Sequence, residues 1–418
     1  MLQQSIRASG TSRRYLHALA VCCRRNGGDA LAEIAPLLRD DDEWRETLLA
    51  LAGQHAIAGL VLATLEREGV LARLPAEVAA PLLDLLKRYR RRALLFEVER
   101  DRVMAALNRC GIDSVVLKGG ALASTIYREP VERLYGDVDV LLPVEQLEAA
   151  AQALTPLGYA VPLSEMEVEG FRSHHFHLRM ENGRGGIVEL HWGLARPHTP
   201  FRLDAARFMA ESVRRANGGK PLRMPRAEHM LLHIVLQNVQ EGFTRLTRLV
   251  DVDRIVAATP GIDWDYSVRL ARDGHLGAAL ALSLQLTARL LGTPIPREAI
   301  TGACPSRSTR LHLAMLRPTR AMERLNEPPG LAYEELLRLW LLPRRERRQG
   351  FLRLMSPHSD DPLRWIWEHN DTPPQTSGSL VRSVARATKV LALQVGTYAS
   401  AIGAMARGEG RRELSLWR

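Results

Sequence analysis

The sequence predicts an α+β protein, with a small mixed-sheet core embedded in N-terminal and C-terminal helical regions. Three observations carry this expectation. Apolar residues recur at three- and four-residue spacing up to about Cys110 and again beyond residue 216. Between them, from about 111 to 195, short apolar runs of strand length alternate with brief helical stretches. One of these runs, "RLYGDVDVLL" (133–142), holds two aspartates separated only by Val138.

The elements follow in order. "EWRETLLALAGQHAIAGLVLATLEREG" and "PLLDLLKRYRRRALLFEVERDRVMAALNRCG" read as helices, with Gly111 as a stop signal. "DSVVLKGG" (113–120) then reads as a strand running into a glycine pair, "ALASTIY" as a short helix and "DVDVLL" as the next strand. A helix is expected after Pro143, a strand around "HHFHLRM" (174–180), a turn at "NGRGG" and a strand at "IVELHW" (187–192). Past "ANGGKPLRMP" (216–225) come "RAEHMLLHIVLQNVQ", "RLTRLVDVDRIVAAT" and "HLGAALALSLQLTARLLG", three amphipathic helices of bundle type. The tail is Arg-rich, and "NDTPPQTSGS" (370–379) has linker composition. The expected division is 1–110 helical, 111–215 α/β core, 216–300 helical bundle and 301–418 C-terminal extension.

A hydrophobic content of 46% is that of a folded globular chain and excludes a disordered one. The net charge of +10 raises the question of a polyanionic partner. Nearly all of that charge is arginine interleaved with acids along the chain; the exception is "KRYRRRALL" (87–95), a binding surface or simply a solvated helix face. Cys22, Cys23, Cys110 and Cys304 have neither zinc spacing nor a disulfide framework, and read as free thiols of a cytoplasmic protein. The N-terminal apolar stretch is too short for a signal peptide. Val390–Ala406 lacks charge but contains Gln394, Thr397, Tyr398 and Ser400, so a packed or interfacial helix is expected there and no membrane span.

Side chains alternate along a strand, so Asp137 and Asp139 share a face while Val138 and Val140 point into the core. Two neighbouring carboxylates repel unless a cation lies between them. A third acid, Glu189, stands on "IVELHW", with His191 on the same face. Carboxylates from two strands suit Mg²⁺, which prefers oxygen ligands and bridges substrate phosphates. Ahead of them, Gly119 and Gly120 open a helix, where backbone amides can approach an anion. A glycine cradle beside a metal platform is what phosphoryl or nucleotidyl transfer requires.

"LKGGALASTIYREPVERLYGDVDVLL" followed by "VELHW" resembles the signature of the nucleotidyltransferase superfamily with a DNA polymerase β-like core. More narrowly, the chain is similar to a bacterial family catalogued as uncharacterised nucleotidyltransferases, with which it shares "LKG", "RxxxDxD", "HW" and the helical segments after 245. The resemblance spans roughly 45 to 300. It implies an enzyme moving a nucleoside monophosphate from an NTP, such as ATP, to an acceptor hydroxyl, with Mg²⁺ or Mn²⁺ as cofactor. Asp137 and Asp139 would then be paired metal ligands, and Glu189 a third ligand or the base. Gly119 and Gly120 would cradle the triphosphate, and Lys118 would reach a phosphate. Arg133 would contact phosphate or orient the acids. The stretch Tyr127 to Val131, longer than in compact superfamily members, would shape a pocket. A small molecule, a tRNA and a protein all remain open as acceptor, as does the oligomeric state.

Other readings stand beside this one. Asp137 and Asp139 would cap a turn, and Glu189 would be an ordinary edge-strand acid. A catalytically idle nucleotide-binding or scaffolding protein would keep the cradle alone. A zinc hydrolase would draw on His175, His177 and His191, which otherwise line the cleft; His174 adds to the same cluster. His229 and His233 have helical i, i+4 spacing without a Glu between them, and read as a packed helix face. Asp251 and Asp253 repeat the Asp-x-Asp spelling on a helix, where they lie about 200° apart. Asp251 is the one expected at the cleft.

Overall fold

The computed structural model describes residues 11–26, 31, 34–161, 175–197, 199–217, 220–315, 322, 331–343, 345–347 and 392. The segment 370–379, Val390–Ala406 apart from residue 392, and His174 lie outside the described residues.

Five helices open the fold: α1 (Thr11–Cys23), α2 (Ala35–Asp40), α3 (Asp42–Gln54), α4 (Ala58–Arg67) and α5 (Ala76–Arg109). The first long helical run of the sequence is two helices, because Ala56 takes a left-handed conformation at φ 55° and Ile57 N–H turns back to Ala52 O. Helix α5 runs for 34 residues, burying Leu82, Leu86, Ala93, Arg100, Val103 and Leu107 along one side. Gly111, at φ 69°, ends it, a geometry glycine adopts without a Cβ clash.

The core follows as β1 (Val115–Val116), α6 (Lys118–Leu122), β2 (Val138–Leu141), α7 (Leu147–Leu154), β3 (Tyr159–Ala160), β4 (His177–Asn182) and β5 (Ile187–His191). The sheet order is β1-β2-β5-β4-β3; β2 and β5 are parallel and the other neighbours antiparallel. Two expected boundaries shift. Helix α6 begins at Lys118 and contains both glycines, whereas only Ala121 and Leu122 of "ALASTIY" are helical. Asp137 lies in a bend just before β2 rather than within it.

Helix α8 (Ala205–Ala210) leads to a hairpin, β6 (Val213–Asn217) and β7 (Lys220–Met224). The boundary expected at residue 215 falls within β6. Four helices complete the bundle: α9 (Ala227–Gln240), α10 (Leu246–Ala258), α11 (Trp264–Asp273) and α12 (Gly277–Leu291). Residues 228–239 of α9 are all buried, because this helix packs against the core through α6 and against α10, α11 and α12. The described tail contributes α13 (Arg297–Ala303), α14 (Arg307–Met315) and α15 (Leu331–Leu341); Arg338 of α15 donates to Gln240 O at 2.9 Å, satisfying a carbonyl at the end of α9. Among the described residues no helix is long and apolar enough to cross a membrane.

Candidate functional site

The site is built on the parallel pairing of β2 with β5. In that register Asp139 stands directly beside Glu189, and Leu141 beside His191. Neighbouring residues in register project to the same face, so the two carboxylates meet. Asp139 is 1% exposed. Its carboxylate accepts from Lys118 Nζ and from His191 Nε2, the latter at 2.9 Å. Lys118 Nζ also lies 3.5 Å from Glu189 Oε2, and His191 Nε2 lies 3.2 Å from the same oxygen.

These contacts set the charge states. Burial pushes Asp139 and Glu189 up, but Lys118 and His191 outweigh it and hold both carboxyls below their usual range. Burial pushes the Lys118 amine down, and Asp139, Glu189 and Asp137 together raise it above its ordinary value. His191 is likewise raised by its two carboxylates, against burial and the Lys118 charge. Asp137 is different. Burial and the neighbouring Asp139 charge push it up to about 6, with Lys118 opposing.

Lys118 reaches its partners from a backbone at φ 48°, a left-handed conformation that costs a non-glycine residue about 1–3 kcal/mol. Strand β1 fixes the chain before it, where Leu117 N–H donates to Asp139 O at 2.9 Å. Packing alone leaves little room for a side chain at either glycine. A Cβ on Gly119 would sit 2.6 Å from Tyr135 Cβ, and one on Gly120 would sit 3.2 Å from Val116 Cγ1. Tyr135 is held in turn by Glu97 of α5, whose carboxylate accepts its hydroxyl at 2.8 Å. Arg100, 1% exposed on the same helix, donates to Gly120 O at 3.0 Å and to Ser124 Oγ at 2.9 Å. Sequence reasoning missed Glu97, Arg100 and Tyr135; the one signal for them is a Glu-x-x-Arg pair on the buried side of a long helix.

A cleft of about 580 Å³ opens over this arrangement. Its floor carries Lys118, Gly119, Asp137 and Asp139; one wall is Tyr89 and Arg92 of α5, and the other is Gln237 of α9 with Arg245 and Arg248 at the start of α10. Gln237, 6% exposed, lines it with a side-chain oxygen that has no hydrogen-bond partner. None of these wall residues stands out in the sequence, because nothing local brings residues 89, 237 and 245 together.

Arg133 also lines the cleft, but its guanidinium is already engaged. It donates to Asp251 through Nε at 2.7 Å and Nη2 at 3.0 Å, and through Nη1 to Leu134 O at 2.8 Å. Asp251 is fully buried behind Arg133 and also accepts from Tyr127 at 2.7 Å. The aspartate expected at the cleft is therefore absent from its lining, because α10 turns it toward the loop that precedes β2. Tyr127 packs there with it, and Val131 O abuts Gly59 of α4, so the stretch from Tyr127 to Val131 also lies away from the cleft lining.

Asp139, Glu189 and His191 offer ligand atoms all within 4.8 Å of one another. Asp137, named in the sequence as a partner of Asp139, stands outside that group on the cleft side. Two carboxylates and an imidazole fit a divalent cation, and the ammonium of Lys118 already marks where they favour positive charge. Among the described residues the histidines do not assemble into a metal site of their own. His177 pairs with His191 across β4 and β5, 3.9 Å from Glu189, and burial with the nearby His191 pushes it down to about 3. His175, half-buried, precedes β4, and none of His175, His177 and His191 is part of the cleft lining. His229 and His233 are buried in α9, where His229 stacks on Phe208 with ring centroids 4.3 Å apart.

The family described as "Uncharacterised nucleotidyltransferase" matches residues 40–292, a span that contains the sheet, the glycine pair, both walls of the cleft and the bundle through α12. No curated protein and no solved structure matches the chain. With more than half of its length matched, the chain belongs to this family of uncharacterised nucleotidyltransferases.

Proposed function

We propose that the protein transfers a nucleoside monophosphate from an NTP to an acceptor hydroxyl with release of pyrophosphate, using Mg²⁺ or Mn²⁺. The observation that carries this reading is the side-by-side placement of Asp139 and Glu189 on parallel strands, with Asp139, Lys118 and Gly119 at the floor of a cleft. Asp139 and Glu189 would hold the ion, with Asp137 or His191 completing the set. When bound, it would neutralise charge on the phosphates and favour in-line displacement.

The chain's own groups divide the remaining work. Glu189 is held ionised by Lys118 and His191, which suits a ligand better than a base. Asp137, pushed up to about 6, has the basicity to take the acceptor's proton near neutral pH. Lys118, paired with Asp139 at the floor, would turn from it to a phosphate oxygen when the substrate arrives. Arg133, pinned by Asp251, fixes the loop that presents Asp137 and is a positioning residue.

Calorimetric titration of each NTP with Mg²⁺ tests the reading on the wild-type chain and on Asp137→Asn/Asp139→Asn. Metal-dependent binding by the wild type that is lost in the variant supports it. Binding that persists in the variant would exclude Asp137 and Asp139 as the metal platform, and no binding of any NTP to folded wild type would point to a catalytically idle chain.

A further inference from the structure

We propose that the acceptor is the hydroxyl end of a single-stranded nucleic acid, led into the cleft along the stretch of α5 that carries Arg88, Tyr89, Arg91 and Arg92. This rests on the nucleotidyltransferase reading above and names the acceptor class for the same site. The sequence run "KRYRRR" is the strongest local concentration of positive charge in the chain, and the fold puts it at the cleft mouth.

Its residues divide by direction. Arg90 turns inward, donating to Glu66 at 2.6 Å and to Glu129 at 3.1 Å. Tyr89 and Arg92 line the cleft, while Lys87, Arg88 and Arg91 are exposed. Residues 88 and 92 lie one helical turn apart, so the cationic strip continues outward from the cleft wall.

The pairing of charges shows which cations are available. In and beneath the cleft Lys118 is committed to Asp139, Arg133 to Asp251 and Arg248 to Glu241. Arg92 makes only a ring contact, 5.5 Å from the Phe96 centroid, and the nearest carboxylate to Arg245 on the opposite wall is Glu241 at 4.0 Å. Lys87 already has Asp84 as a partner at 3.1 Å, whereas among the described residues Arg88 and Arg91 have no carboxylate partner. A nucleic-acid strand supplies what this surface lacks: a phosphate at each step for the arginines, a base face for Tyr89 and a terminal hydroxyl for the reaction. A small phosphorylated acceptor would leave Arg88 and Arg91 without a role. An acidic protein is the rival, since Leu94, Leu95 and Val98 on the same helix are 61%, 62% and 58% exposed. Tyr89 and Arg92 border the cleft, however, whereas the apolar residues begin farther along the helix.

In the transfer, the strand's terminal hydroxyl oxygen bonds to the α-phosphorus of the NTP as the bond to the bridging α–β oxygen breaks. Pyrophosphate leaves with that electron pair, and the hydroxyl proton passes to a carboxylate at the cleft floor.

The test is fluorescence anisotropy of the full chain with labelled single strands of RNA and of DNA, about 12 nucleotides long to match one binding groove. With about three phosphates contacted, log affinity should fall against log salt with a slope of about −2. Arg88→Gln/Arg91→Gln should weaken binding about tenfold while NTP titrations stay unchanged, as two or more phosphate contacts imply. Tyr89→Ala should weaken strand binding by about fivefold or more through lost stacking, and should leave binding of a polyglutamate of equal charge unaffected. Wild type should add labelled NMP to the strand; Asp139→Asn should bind the strand and add nothing. Failure to bind either strand, or equal binding by Arg88→Gln/Arg91→Gln, would overturn the proposal while metal-dependent NTP binding still upheld the transferase reading. Tighter binding of polyglutamate than of either strand, indifferent to Tyr89, would overturn it in favour of an acidic protein.

Discussion

Lys118 Nζ stands against the Asp139 carboxylate and 3.5 Å from Glu189 Oε2, supplying the positive charge that two adjoining carboxylates require. A cation on that platform must share it with the amine or displace it. Lys118→Met should therefore bind Mn²⁺ alone about tenfold more tightly, because a charge-assisted competitor has gone. The same variant should bind NTP more weakly, having lost a phosphate contact. Calorimetry with Mn²⁺ and then with Mn²⁺ and NTP reads both, and tighter binding of both would remove Lys118 from phosphate recognition.

Protons should compete with the ion at Asp137. Its carboxyl is pushed up to about 6 by burial and by Asp139, so it is ionised above pH 6 and neutral below. An ion attracted by that charge should lose affinity as pH falls through 6, by at most about tenfold per unit for a single proton. Asp137→Asn should flatten the dependence between pH 5 and pH 7. Retention of the slope in that variant would assign the titration elsewhere.

The Arg133–Asp251 pair is buried on both sides, and breaking one partner strands the other charge. Asp251→Asn should lower stability by about 3–5 kcal/mol in urea unfolding. Replacing both residues with apolar side chains, Arg133→Met with Asp251→Leu, should recover much of that loss and still weaken NTP binding, since the loop before β2 loses its anchor. A double variant no more stable than Asp251→Asn would show that the pair matters chiefly for folding.

Gly119→Ala tests the close packing of the glycine pair. The added methyl meets Tyr135 Cβ at 2.6 Å and Tyr135 Cγ at 3.2 Å, a clash that costs about 1–3 kcal/mol by overpacking. The strain should push Tyr135 away from Glu97 and disturb Asp137 two residues later. A variant with wild-type stability and NTP affinity would mean that this approach relaxes at no cost.

Much of the candidate site's floor was legible because strand chemistry is local. Alternation placed Asp139 and Val140 on opposite faces, and "VELHW" offered Glu189 and His191 on one face two residues apart. What alternation cannot give is register. Only the parallel pairing of β2 with β5 sets Asp139 beside Glu189, and a slip of one residue would have turned one of the acids to the other side of the sheet. Asp137 shows the same limit, since it spells like a strand residue but sits in the bend before β2.

The sequence by itself determined the α+β composition, the helical flanks, the glycine pair and the acids of the site, because these follow from period, turn chemistry and residue type within a few positions. Tertiary structure alone decided that Asp251 would clamp Arg133 behind the site, that Arg100 and Glu97 would brace it from α5, and that Tyr89, Arg92, Gln237 and Arg245 would wall the cleft. Those contacts join residues from 20 to more than 100 positions apart. They are fixed by how helices pack around the sheet, and no local pattern in the chain encodes that packing.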